Sequence, residues 1–133
     1  MVDGAVDSPE EIADVINSLI AAKVDAVLLP SDSLVKANAD AIIPLLNQNK
    51  VPSIVSIPAM VKDNGAFIGL GPDYYLLGRL AGEKALAVLK GTAPDDIPSS
   101  TLSRMHMTVN LTTAGEIGVR VPVQLLRLAT IVK

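Results

Sequence analysis

The stretch VDAVLLPSDS, residues 24–33, decides the predicted fold. Its first six residues are apolar except for Asp25, and the run ends at Pro30. A short and almost continuously apolar run is typical of a strand that is buried on both faces of a parallel sheet. The Ser-Asp-Ser triplet that follows can cap a helix. The stretch therefore predicts a strand, a turn and a helix, in that order.

Helical patterns flank this strand on both sides. Upstream, Ser8 as the cap, Pro9 at the first helical position and Glu11 as the capping-box partner of Ser8 predict the start of a helix, and an apolar stripe extends it to about residue 22. Downstream, a helix is predicted over residues 34–49, and Pro44 should kink or restart it. The strand thus lies between two helices.

The same alternation of strands and helices continues to the end of the chain. The predicted elements are strands at 51–57 and 66–70, a helical turn at 58–64, a helix at 74–90, a strand at 104–109, a short helix capped by Asn110 and a helix at 121–128. The strand at 104–109 should be an edge strand, because its apolar and polar residues alternate. Together these elements predict a single α/β domain over residues 1–133, a three-layer parallel sheet with helices on both faces.

Composition excludes several classes of function. The 133 residues are 50% hydrophobic and carry a net charge of −3, so the surplus of basic residues that nucleic-acid binding requires is absent. There is no Cys, which removes thiol catalysis and Cys-based metal sites, and a single His argues against a His-based metal site or a catalytic triad. We expect no metal, no cofactor and no catalytic residue. No signal peptide or membrane-spanning run is visible in these residues.

Candidate binding residues follow the predicted strands, because ligands of open α/β sheets sit at the carboxyl ends of the strands. They are Ser31, Asp32, Ser33, Ser56, Asp73 and Tyr74. The hydroxyls, the Asp32 carboxylate and a helix N-terminus could together hold a zwitterion, with Asp32 on the ammonium group. The alternative is that Asp32, Ser33 and Asp73 only cap helices and that Tyr74 covers apolar surface.

Several spaced motifs resemble one family. The stretch at 24–33, GPDYYLLGR at 71–79, LKG at 89–91, DIP at 96–98 and VNL at 109–111 are similar to the pattern of bacterial ABC-transporter substrate-binding proteins. The resemblance implies one lobe, the C-terminal one, of a two-lobed type I periplasmic-binding fold that closes on a small molecule. Members near this pattern are associated with amino acids, aromatic ones among them.

The resemblance also implies roles for individual residues. Ser31, Asp32 and Ser56 match positions that face the cleft, Ser33 stands where Asn is usual, and Asp73 with Tyr74 matches the turn at the hinge. The ligand would bind noncovalently, the full-length protein would act outside the cytoplasm, and its partner would be the transporter's permease.

Two other functions stay open beside this one. The effector domain of a transcription regulator shares the type I fold, and a small α/β enzyme would bind phosphate at residues 31–33.

The helix at 74–90 predicts self-association. If this helix packs on the other lobe of a longer relative, its stripe of Leu77, Leu80, Ala81 and Val88 is exposed in this chain. We therefore expect a homodimer, formed by exchange of this helix.

Overall fold

The structure, a computed structural model, describes residues 1–133. The strands are β1 (Val27–Leu29), β2 (Ser53–Val55), β3 (Ile68–Pro72), β4 (Met105–Asn110) and β5 (Thr130–Val132). The helices are α1 (Ile12–Ala21), α2 (Ser33–Ala37), α3 (Ala39–Gln48), α4 (Ala59–Asp63), α5 (Tyr74–Leu89), α6 (Leu111–Ile117) and α7 (Val123–Leu126). Two 3-10 turns cover Pro9–Glu11 and Pro94–Asp96.

The five strands form one sheet in the order β1-β2-β3-β4-β5. The pairs β1–β2, β2–β3 and β4–β5 are parallel. At the carboxyl end of β4, the N–H of Asn110 donates to the carbonyl of Phe67, which lies just before β3 (2.9 Å). The two neighbouring strands therefore run in opposite directions, and the α/β class with a mostly parallel sheet is confirmed.

The core lies between the sheet and a layer of helices in which α3 packs against α1, α2 and α6. Its most buried large side chains are Ile43, Leu46, Val55, Val61 and Val109. The opposite face of β1–β3 exposes three aliphatic side chains instead, Leu28, Ile54 and Leu70. Those three strands thus lack, on that face, the helical cover that the sequence led us to expect.

Three local predictions were wrong. The helical segment after β1 breaks at Asn38, whose side-chain amide donates to the carbonyl of Leu34 (2.8 Å), and Pro44 lies inside α3. β4 is not an edge strand, because β5 pairs with it along its outer side. The helix predicted at 121–128 is shortened to α7, and β5 follows it.

The chain divides into two compact units. Residues 1–71 and 106–133 form the first unit, and residues 72–105 form the second. The second unit holds α5, which contains no buried residue, and Lys84 of α5 donates to the carbonyl of Pro98 within the same unit. That residues 1–133 make a single domain stays a prediction. None of the helices is long and apolar enough to cross a bilayer.

Candidate functional site

The ends of β1 and β2 bring two of the predicted segments together. Leu29 and Val55 are register partners, and the N–H of Ser56 donates to the carbonyl of Leu29 (3.1 Å). Ser31 therefore leaves β1 beside the point where Ser56 leaves β2. The adjacency follows from parallel pairing, because both strands end at the same edge of the sheet.

Asp32 caps α2, as the capping alternative proposed. One carboxylate oxygen, Oδ1, accepts from the N–H of Leu34 (2.8 Å) and from that of Val35 (3.1 Å). The other oxygen, Oδ2, makes no hydrogen bond within the chain, and Asp32 is exposed. Capping therefore occupies half of this carboxylate and leaves an ionic acceptor that faces solvent.

The serines beside Asp32 have free hydroxyl groups. The side chains of Ser31, Ser33 and Ser56 make no hydrogen bond within the chain; the first two are exposed and Ser56 is half-buried. Ser53 differs, since it is fully buried and its Oγ accepts from the N–H of Phe67 (3.0 Å). Ser53 thus holds the sheet together, whereas the other three can donate to and accept from a ligand.

Two glycines of β3 set the position of the Ser56 turn. A Cβ on Gly71 would overlap the carbonyl oxygen of Ser56 and lie 2.7 Å from Cδ of Pro58. A Cβ on Gly69 would lie 2.8 Å from Cα of Pro58. The turn after β2 therefore rests directly on the backbone of β3. The sequence analysis assigned no supporting role to these glycines; their spacing of two within a predicted strand was the available signal.

The last two predicted residues, Asp73 and Tyr74, belong to the second unit. Asp73 caps α5, because its Oδ1 accepts from the N–H groups of Tyr75 (3.0 Å) and Leu76 (3.1 Å). Tyr74 and Tyr75 are both exposed. The structure thus gives Asp73 a capping role and leaves both tyrosine rings accessible to solvent.

The single His of the chain and the adjacent carboxylate pair Asp95 and Asp96 belong to no metal-binding cluster. His106 is half-buried on β4, and Asp95 and Asp96 lie in an exposed 3-10 turn. No three His, Asp or Glu side chains lie close enough together to hold a metal ion. The polar groups at the ends of β1 and β2 can form hydrogen bonds and ion pairs.

Two sequence comparisons identify relatives. The model of a family described as ABC transporter substrate binding protein matches residues 1–133. A curated relative, the tyrosine-binding protein of Clostridioides difficile (strain R20291), is 34% identical over 110 residues, which are 83% of this chain and 31% of that protein. The chain thus spans about a third of the length of this relative.

Three solved structures are similar to this chain over nearly its whole length. An ABC domain from Streptococcus pneumonia in complex with L-Trp is 30% identical, with a TM-score of 0.81 over 98% of this chain and 44% of that one. A ligand-free, open substrate-binding protein with adhesive properties from Clostridium difficile is 26% identical, with a TM-score of 0.77 over 99% and 43%. A conserved domain protein from Vibrio cholerae shares the fold at 24% identity, with a TM-score of 0.81 over 96% and 43%.

Proposed function

Since this chain belongs to the family of ABC transporter substrate-binding proteins, we propose that it is part of a protein that binds an amino acid, with aromatic amino acids favoured. The observation that carries the proposal is the set of free polar groups at the ends of β1 and β2, three serine hydroxyls and one oxygen of Asp32. Relatives named for tyrosine binding and solved with L-Trp support the aromatic preference. The family match over the whole chain supports this function over that of a transcription regulator's effector domain.

The proposed chemistry is noncovalent recognition of a zwitterion. Asp32 Oδ2 pairs with the ligand's ammonium group, and the hydroxyls of Ser31, Ser33 and Ser56 donate to its carboxylate. The α2 helix, Ser33–Ala37, contributes little to anion binding because it has only five residues. Asp73 and Tyr74 remain predicted ligand contacts on the strength of the family resemblance.

The partner and the location follow from the same proposal. The full-length protein would act outside the cytoplasm and deliver its ligand to the permease of an ABC transporter.

The substitution Asp32→Asn tests the proposed ammonium contact. Asn caps a helix about as well as Asp, so α2 is retained while the negative charge is lost. In an NMR titration of the 133-residue chain with L-Trp or L-Tyr, we expect shifts at the amides of residues 31–35 and 56–58 and millimolar affinity. The affinity should fall about tenfold or more in the variant, since a charge-assisted hydrogen bond contributes roughly 1.5–3 kcal/mol.

The matched control is Asp14→Asn, which removes the same charge from the exposed side of α1 and should leave binding unchanged. Equal affinity of Asp32→Asn and the unmodified chain would remove Asp32 from the site. Titration shifts confined to other parts of the chain would contradict the proposed site as a whole.

We also propose that the chain forms a homodimer through α5. Leu77 and Val88 are 39% and 41% exposed, and, apart from neighbouring residues and the backbone of α5 itself, no atom lies within 4 Å of a Cβ built on Gly78 or Gly82. An exposed apolar helix face with small residues lets a second helix approach closely.

Light scattering after size exclusion measures this association. We expect twice the 13.9 kDa mass of the chain, and the monomer mass for Leu77→Glu, because a charge on the apolar stripe opposes its burial. The control is Glu83→Gln on another side of α5, which should remain dimeric. A monomer mass for the unmodified chain at high micromolar concentration would contradict the proposal.

A further inference from the structure

The outer side of α2 carries a hydroxyl group and a cation one helical turn apart. Leu34 and Val35 are half-buried and pack against the core, whereas Ser33 and Lys36 are exposed. Residues three positions apart are neighbours on the surface of a helix, so Ser33 and Lys36 share the exposed side of α2. Lys36 therefore lies beside one of the free hydroxyl groups of the proposed amino-acid site.

Lys36 also lies one turn after Asp32. The N–H of Lys36 donates to the carbonyl of Asp32 (3.0 Å), and this bond closes the turn. Each Cα–Cβ bond of a helix tilts toward the amino-terminal end, so the side chain of Lys36 extends from its backbone toward the turn that holds Asp32. The turn thus brings a carboxylate and an ammonium group to the same end of α2.

Neither of these two charges is paired within the chain. The salt bridge of the chain joins Arg79 to Glu83 in α5, and Lys36 takes no part in it. Oδ2 of Asp32 makes no hydrogen bond, and the ammonium group of Lys36, which has three donors, makes none either. A free anion and a free cation therefore lie one helical turn apart, next to the hydroxyl of Ser33.

The alternative role for Lys36 is to stabilise its own helix. Lys36 lies in the last turn of α2, where a cation interacts favourably with the negative end of the helix dipole. Lys62 occupies the same place in α4, the fourth of five residues, and is exposed too. Pro58 stands four residues before Lys62, however, and α4 has no side-chain cap. The two lysines share the position near a helix end, and Lys36 alone has a carboxylate one turn before it.

An α-amino acid matches these two charges in sign and number. Its ammonium group is the partner proposed above for Oδ2 of Asp32, and its carboxylate group needs a cationic partner that the serine hydroxyls do not supply. A hydrogen bond to a charged donor is about twice as strong as one to a neutral donor. The ligand would displace at most a transient contact between Asp32 and Lys36, because exposed ion pairs contribute little to stability.

We propose that Lys36 is a specificity-determining residue, which binds the carboxylate group of the ligand together with Ser33, so that the site selects α-amino acids over amines that lack a carboxylate group. This inference rests on the proposed function, because it assigns Lys36 to the same site. Selectivity is a difference between two affinities, and here the difference comes from the second charge of the ligand.

Two ligands that differ only in the carboxylate group test the role of Lys36. L-Trp carries this group, and tryptamine is the same molecule without it. In NMR titrations of the 133-residue chain, Lys36→Gln should lower the affinity for L-Trp about fivefold, the upper end for an exposed ion pair, and should not lower the affinity for tryptamine. Asp32→Asn should lower both affinities, because both ligands carry the ammonium group.

Two further variants control for the charge of the chain. Lys36→Arg keeps the cation and should bind L-Trp as the unmodified chain does, because a guanidinium group also pairs with a carboxylate. Lys62→Gln removes the same charge from the matched position in α4 and should change neither affinity. An equal loss of L-Trp affinity in Lys36→Gln and Lys62→Gln would overturn the proposal, because the net charge would then explain the effect.

The remaining outcomes separate this inference from the proposed function. Unchanged L-Trp affinity in Lys36→Gln, or an equal loss for L-Trp and tryptamine, would overturn the role of Lys36. If Asp32→Asn still weakens L-Trp binding in that case, the proposed amino-acid site stands without Lys36. If L-Trp shifts none of the amides of residues 31–35 and 56–58 in the unmodified chain, the proposed function and this inference are both overturned.

Discussion

The substitution Gly71→Ala should lower the free energy of unfolding by about 1–3 kcal/mol, the range for adding a methyl group to a fully packed site. The added Cβ would overlap the carbonyl oxygen of Ser56 and lie 2.7 Å from Cδ of Pro58. Neither group is the flexible end of a side chain, so relief requires the turn after β2 to move away from β3. Urea unfolding followed by circular dichroism measures the loss, and the NMR shift of the Ser56 amide reports the movement.

A second Gly-to-Ala substitution, at a position that is not closely packed, is the control. Gly115 lies inside α6, and, apart from neighbouring residues and the backbone of α6 itself, no atom lies within 4 Å of a Cβ built on it. Gly115→Ala should therefore stabilise the chain by roughly 0.5–1 kcal/mol, because Ala is the better helix former and restricts the unfolded chain. Equal effects of the two substitutions would show that close packing of Gly71 against the turn is not what Ala disturbs.

Elements with strong local signals could be predicted from the sequence. The helix expected at 74–90 is observed as Tyr74–Leu89, because Asp73 caps its start and Gly91, with φ of +98°, follows its end. β1 and β2 lie within the two apolar runs expected to be strands. In each case, residues only a few positions apart determine where the helix or strand forms.

Elements that depend on distant pairing could not be predicted. β5, Thr130–Val132, has three residues and no periodic pattern, and it exists because it pairs with β4. Because β5 was not predicted, the alternation of apolar and polar residues in β4 indicated an edge strand. The break at Asn38 was missed for a similar reason: Pro44 is the stronger helix breaker by composition, but the amide of Asn38 competes locally for the carbonyl of Leu34.

One part of the candidate site could be predicted from the sequence, and another part could not. Ser31 and Ser56 could be placed together because parallel strands end at one edge, a rule that needs only strand order. The support that Gly71 gives to Ser56 depends on the register of β3 and on the path of the turn, and the sequence carries neither. That these residues contact a ligand stays a prediction.

The buried side chain of Asn110 should be the costliest polar residue to remove. It is 8% exposed; its Oδ1 accepts from the N–H of Thr113 (3.0 Å), and its Nδ2 donates to the carbonyl of Val61 (3.3 Å). Asn110→Ala removes the cap of α6, worth about 1 kcal/mol, and leaves a buried carbonyl unpaired at about 1–3 kcal/mol. We expect an overall loss of about 2–4 kcal/mol in urea unfolding.

Asn110→Ser separates the two contributions. Ser caps helices about as well as Asn but is too short to reach the carbonyl of Val61, so it should recover roughly 1 kcal/mol of the loss. If Asn110→Ser recovers none of the lost free energy of unfolding, the cap contributes little and the loss comes from the hydrogen bond to Val61. If Asn110→Ser recovers all of the lost free energy of unfolding, the bond to Val61 adds nothing, and α4 is held by its apolar contacts alone. A partial recovery would show that Asn110 both caps α6 and links that cap to Val61 of α4, beside the amino-terminal end of β3.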